Sequence, residues 1–146
     1  YETRLLNYYR LNFILFLVIA IPIYFFSELI IEVLFGKEFI PAGILLALMS
    51  IRLFFANIGT ARGAFIVTEK LFKFSLIAMV IGTIVNIYAN YILIPVNGAY
   101  GSIIATIISF TVSTFMIDLF IKKGRWNLKI IITSLFSFYK LSIKNI

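Results

Sequence analysis

The sequence contains no cysteine and no histidine. Disulfide frameworks, Cys/His zinc sites and His-based acid–base or triad chemistry are thereby excluded. Charge is scarce as well: Asp, Glu, Lys and Arg make up 13% of 146 residues, against about a quarter in a soluble globular domain. Acidic residues are the scarcer sign, six against thirteen basic, for a net charge of +7. Phosphate-cradling glycine loops, carboxylates at catalytic spacing, metal-ligand clusters and internal repeats are also missing. With no nucleophile beside a base, the residues point away from an enzyme, and no cofactor or metal is expected.

What the chain has in excess is apolar surface. It is 62% hydrophobic, with a mean hydropathy of +1.08. A domain this small keeps a large accessible area on folding, so the surplus must face lipid or a partner. Lipid is the simpler answer. The basic residues fall between apolar runs and not along one polar face, so they read as topology signals at an anionic membrane surface. They do not suggest nucleic acid as a partner.

The expected fold is therefore all-α and integral to a membrane. A crossing needs about 20 mostly apolar residues, and four stretches satisfy this: residues 11–35, 40–67, 71–94 and 99–121. Pro95 closes the third, and Lys122-Lys123-Gly124 closes the fourth. If the chain enters from the cytoplasm, that side holds Arg4, Arg10, Lys70, Lys73, Lys122, Lys123, Arg125 and Lys129. The other side holds only Lys37, next to Glu38. The asymmetry predicts that both ends of the chain are cytoplasmic. Tyr8, Tyr9 and Trp126 are expected at headgroup level.

Residues 127–146 differ from the rest. The apolar run from Ile130 to Tyr139 is short, and Lys129, Thr133, Ser137, Lys140 and Lys144 fall in one helical stripe. Leu128, Ile131, Leu135, Phe138 and Leu141 lie off it. This predicts an amphipathic helix on the cytoplasmic interface, with a fifth crossing as the alternative. The domain division is thus a transmembrane bundle over 1–126 and a tail over 127–146. The chain opens Tyr1-Glu2-Thr3-Arg4, with no signal-peptide features, and is expected to be the C-terminal part of a larger protein whose N-terminal part would be its partner.

Several polar residues lie inside the apolar runs. Arg52 sits near the middle of the second segment, where an unpaired charge costs a few kcal/mol or more. Arg62 follows ten residues on, with Asn57 between them. Two arginines and an amide at different depths suit an anionic group such as a phosphate. Equally, Arg52 can pair with an acid on a helix outside this chain, and Arg62 can extend to the cytoplasmic headgroups. Asn86 and Asn90, one turn apart below Gly82, serve either as interhelical glue or as a polar cavity lining. Gly59 and Gly63, preceded by Ala56, form a small-residue strip for close helix packing; Gly101, Ala105 and Ser109 form another, beside Ser102, Thr106 and Ser113. Glu28, Glu32 and Asp118 are expected at the interfaces; a buried one would be a candidate proton or sodium site.

Two runs resemble a known family. Leu34-Phe35-Gly36 followed by Phe39 and Ala42 resembles a pattern in polysaccharide flippases of the Wzx type, within the multidrug/oligosaccharidyl-lipid/polysaccharide exporter superfamily. Asn86, Asn90, Leu93-Ile94-Pro95, Gly98, Gly101 and Ala105-Thr106 resemble a second one, in which an Asn-rich helix ends in Leu-Ile-Pro and a Gly-x-x-Gly opens the next. Asn97 stands where relatives often carry an aromatic. The resemblance implies a transporter that moves a lipid-linked oligosaccharide, carried on polyprenyl pyrophosphate, across the cytoplasmic (plasma) membrane of a bacterium or archaeon. It also implies that this chain supplies the last four crossings of the second of two helical bundles. Cationic cavity residues would then hold the pyrophosphate, Arg52 first and Arg62 second. The alternatives are a multidrug or toxin cation antiporter of the same superfamily, which would need buried acids, and a non-transporting membrane scaffold, which would seal its polar residues in protein contacts.

Overall fold

The computed structural model describes residues 1–142, which are almost entirely helical and contain no strand. Three helices are long and apolar enough to cross a membrane. The tail residue Lys144 lies outside the described residues.

Helix α1 spans Glu2–Phe35, 34 residues. At 1.5 Å per residue it is about 50 Å long, well beyond a hydrocarbon core of ~30 Å. Its two halves differ accordingly. Leu5, Asn7, Tyr9 and Asn12 are buried, whereas Val18, Phe25 and Val33 are 64%, 76% and 75% exposed. The helix continues through Pro22 and stops at Gly36, whose φ of 95° lies in the left-handed region that favours glycine. A 3-10 turn, Lys37–Ala42, contains Pro41 and leads into helix α2, Gly43–Thr68. A Cβ on Gly43 would lie 2.9 Å from the Glu28 Cα, so α1 and α2 are in close contact at this end.

Helix α3, Phe72–Thr111, is broken only at Gly98, where φ is 56° and ψ is −132°. Its arms, 72–97 and 99–111, run antiparallel. The Ser109 hydroxyl donates to the Gly82 carbonyl at 2.7 Å, and a Cβ on Gly82 would meet the Ser113 Cβ at 2.8 Å. The break falls three residues after Pro95, which stays within the helix, so the expected boundary at residue 94 moves to Gly98. The reason is conformational: a proline closes a helix less sharply than a residue with positive φ. Gly101 sits one turn beyond, and a Cβ there would overlap the Leu93 carbonyl. Gly98→Ala is expected to cost about 1–3 kcal/mol, because a φ of 56° with a ψ of −132° is a conformation that residues with a Cβ avoid, and Gly101→Ala more, because backbone would have to move. Thermal unfolding in detergent measures both, and wild-type midpoints for both would contradict this turn.

The segment expected as one helix over 99–121 is irregular at its end. A π turn, Val112–Met116, and a 3-10 turn, Ile117–Phe120, follow α3, and Ile121 is extended. Helix α4 then runs Lys122–Phe136, starting before the anticipated tail boundary, and a short 3-10 turn, Phe138–Lys140, follows it. The expected split of α4 into polar and apolar faces is present: Lys129, Thr133 and Lys140 are exposed, Leu128 and Ile131 buried. What the apolar face covers is different. Leu128, Ile130 and Ile131 join Leu5, Tyr9, Ile58, Ala61, Phe65 and Ile66 in one cluster, so α4 docks on α1 and α2. Residues 127–142 are thus not a separate layer.

Polar bonds explain that docking. The Tyr9 hydroxyl donates to Asn127 Oδ1 at 2.9 Å, with both residues fully buried. Arg10 donates through Nη2 to the Ser137 hydroxyl at 2.8 Å and through Nη1 to the Lys140 carbonyl at 3.2 Å. Lys123 pairs with Glu69 at 2.6 Å. Tyr9 is therefore a core residue and not part of an aromatic belt. Trp126 is half-buried, stacked on Tyr1 with ring centroids 6.0 Å apart.

Candidate functional site

Inside an apolar run, hydroxyls and amides have no water to bond to, so they turn back on their own helix. Thr60, Thr83, Thr106 and Thr111 each donate to the carbonyl four residues earlier. Asn57 does the same to Leu53 at 2.9 Å and lines neither of the two grooves in which the arginines stand. Asn90 donates to the Asn86 carbonyl at 2.9 Å and to Asn86 Oδ1 at 3.0 Å; its own Oδ1 is buried without a partner.

Arg52 has no such arrangement. It is exposed, carries no ion pair among the described residues, and its guanidinium carbon lies 5.7 Å from the Phe110 ring centroid. It forms one wall of a groove of about 370 Å³. Met79, Gly82, Thr83 and Asn86 line it from the first arm of α3, Thr106, Ser109 and Phe110 from the second, and Ser113 from the π turn that follows. These spacings of three and four put each set on one helical face. Because the threonine hydroxyls are spent on backbone carbonyls, they face the groove as acceptors. The donors left over are the Arg52 guanidinium and the Asn86 NH2, since Asn86 Oδ1 already accepts from Asn90.

A second groove, of about 290 Å³, adjoins the first and shares Met79, Phe110 and Ser113 with it. Its α2 wall is Phe55, Ala56, Gly59 and Arg62. Arg52, Ala56, Gly59 and Arg62 thus fall along a single stripe, with the arginines about 15 Å apart along the axis. Apart from the backbone of α2 itself, no atom of the described residues lies within 4 Å of a Cβ built on Gly59 or Gly63. The small-residue strip of α2 is therefore not a packing seam among the described residues; Gly59 lines the second groove instead. The other strip does pack: Gly101, Ala105 and Ser109 are all buried, Ser109 by its bond to Gly82.

Arg62 is a different kind of arginine. It is 8% exposed, and its Nε donates to Asp118 Oδ2 at 3.0 Å while Nη2 donates to Oδ1. Asp118 is 1% exposed, so the expectation of an interfacial acid is overturned, as is that of an Arg62 extended to headgroups. The irregular stretch 112–120 causes this: π and 3-10 turns in place of a straight helix bring Asp118 beneath α2. A bidentate fork of this kind neutralises the Arg62 charge and leaves Arg52 as the free cation of the groove. Asp118 lies 56 positions from Arg62 in sequence, and no local pattern links the two.

No protein-family model, curated protein or solved structure matches the chain.

Proposed function

We propose that this chain is the C-terminal bundle of a membrane transporter that moves a lipid-linked oligosaccharide, and that Arg52 receives the pyrophosphate of the carrier lipid. The observation that carries this is the unpaired Arg52 on a groove whose only other free donor is Asn86. A pyrophosphate is an acceptor-only group, and a guanidinium matches its oxygens in pairs. The antiparallel arms of α3, the second continued by the turns to Phe120, support a reading with four crossings. Support for a common cytoplasmic end comes from contacts that gather the basic termini: Tyr1 with Trp126, Glu69 with Lys123, and Arg10 with Ser137. Lys37 sits at the opposite end beside Glu32, 4.0 Å away. An exporter of drug cations needs a free buried acid, and the one buried acid among the described residues, Asp118, is held by Arg62. The test is transport by the full-length protein in proteoliposomes. Movement of a fluorescent polyprenyl-pyrophosphate glycan is expected, and transport of a lipophilic cation in its place would overturn the proposal.

A further inference from the structure

Away from the Arg52 groove, α4 and the irregular segment before it enclose a different cleft, of about 410 Å³. Its walls include Phe115, Leu119, Leu128 and Ile132, and two cations, Arg125 and Lys129, stand beside it one helical turn apart. Both cations are exposed, and neither has a carboxylate partner among the described residues. Leu119 and Ile132 are 55% and 53% exposed. The acids that approach this region are already used: Asp118 by Arg62 and Glu69 by Lys123. An apolar cleft with two uncompensated charges on its α4 wall matches one kind of molecule, an anion joined to a hydrocarbon chain.

Resting on the membrane reading above, we propose that this cleft is a binding site for an anionic phospholipid of the cytoplasmic leaflet. The headgroup phosphate sits on Arg125 and Lys129, and one acyl chain lies along Leu119, Leu128 and Ile132. The site fixes α4 at the depth of the headgroups by bonds to lipid, in addition to its docking on α1. It is distinct from the Arg52 groove, since the two share no lining residue.

Native mass spectrometry of the full chain, released from detergent containing equal phosphatidylglycerol and phosphatidylcholine of the same acyl length, tests this. Preferential retention of phosphatidylglycerol is expected, and Arg125→Ala with Lys129→Ala should reduce the preference by about tenfold or more. Leu119→Trp fills the apolar part with both charges intact and should reduce total lipid retention. Lys37→Ala, at the opposite end of the helices, should leave the preference unchanged. Equal retention of the two lipids would overturn the proposal, as would loss of phosphatidylglycerol on adding inorganic phosphate, which would mean that only a free anion is recognised. Recovery of the chain in the membrane pellet after alkaline extraction separates the two readings. A chain in the pellet without lipid preference defeats the site alone, and a chain in the supernatant defeats the membrane reading itself.

Discussion

Replacing Arg52 with alanine in the full-length protein is expected to lower glycan export by at least about tenfold, because a hydrogen bond to a charged group contributes about 1.5–3 kcal/mol. The amount of protein in the membrane should stay at the wild-type level. Arg52 is exposed, and its contact with Phe110 is a cation–π interaction, worth about 0.5–1 kcal/mol at an exposed site. Its loss therefore leaves the fold intact. Arg52→Lys keeps the charge but not the planar fork, so intermediate export is expected. Arg52→Glu should abolish export, since it places a second anion against the pyrophosphate. Wild-type export by the alanine variant at equal membrane levels would remove Arg52 from the mechanism.

The Arg62–Asp118 pair should behave in the opposite way, as a determinant of stability. Truncating one member leaves the other charged, buried and unpaired, which typically costs about 3–5 kcal/mol. Asp118→Ala and Arg62→Ala are each expected to lower the thermal unfolding midpoint in detergent and the yield of folded protein. The double variant Arg62→Met with Asp118→Leu should recover most of the loss, because apolar side chains of similar volume carry no desolvation penalty. Two single variants that each cost less than about 0.5 kcal/mol would mean that the pair is solvated and behaves as a surface bridge. The contrast separates two arginines ten residues apart on one stripe of α2: one is free to meet a ligand, the other is committed to the fold.

Helix α2 also illustrates which features of a site are local. That Arg52 stands in an apolar segment is visible in its neighbours Leu, Ile, Met and Phe, and the cost of an unpaired charge there makes it a candidate site residue before any contact is known. The stripe Ala56, Gly59, Gly63 is equally visible, but its meaning is not. Small residues permit either a close neighbour or open space, and only the position of α3 decides for space. Asn57 and Asn90 show the same ambiguity for amides, which can bond their own helix as well as a partner.

The sequence by itself determined that this chain is helical and has more apolar surface than a fold of its size can hide. It determined as well where the long apolar segments lie, though not the ends of the helices they form, and that the tail has a charged and an apolar face. These follow from composition and periodicity, which act over a few residues at a time. Only the tertiary structure decided that the tail's apolar face covers Tyr9 and Ile58, that Gly98 and not Pro95 turns the chain back, and that Asp118 reaches Arg62. Each of these depends on which distant segments meet, and a burial pattern is the same whether a side chain is covered by lipid or by another helix.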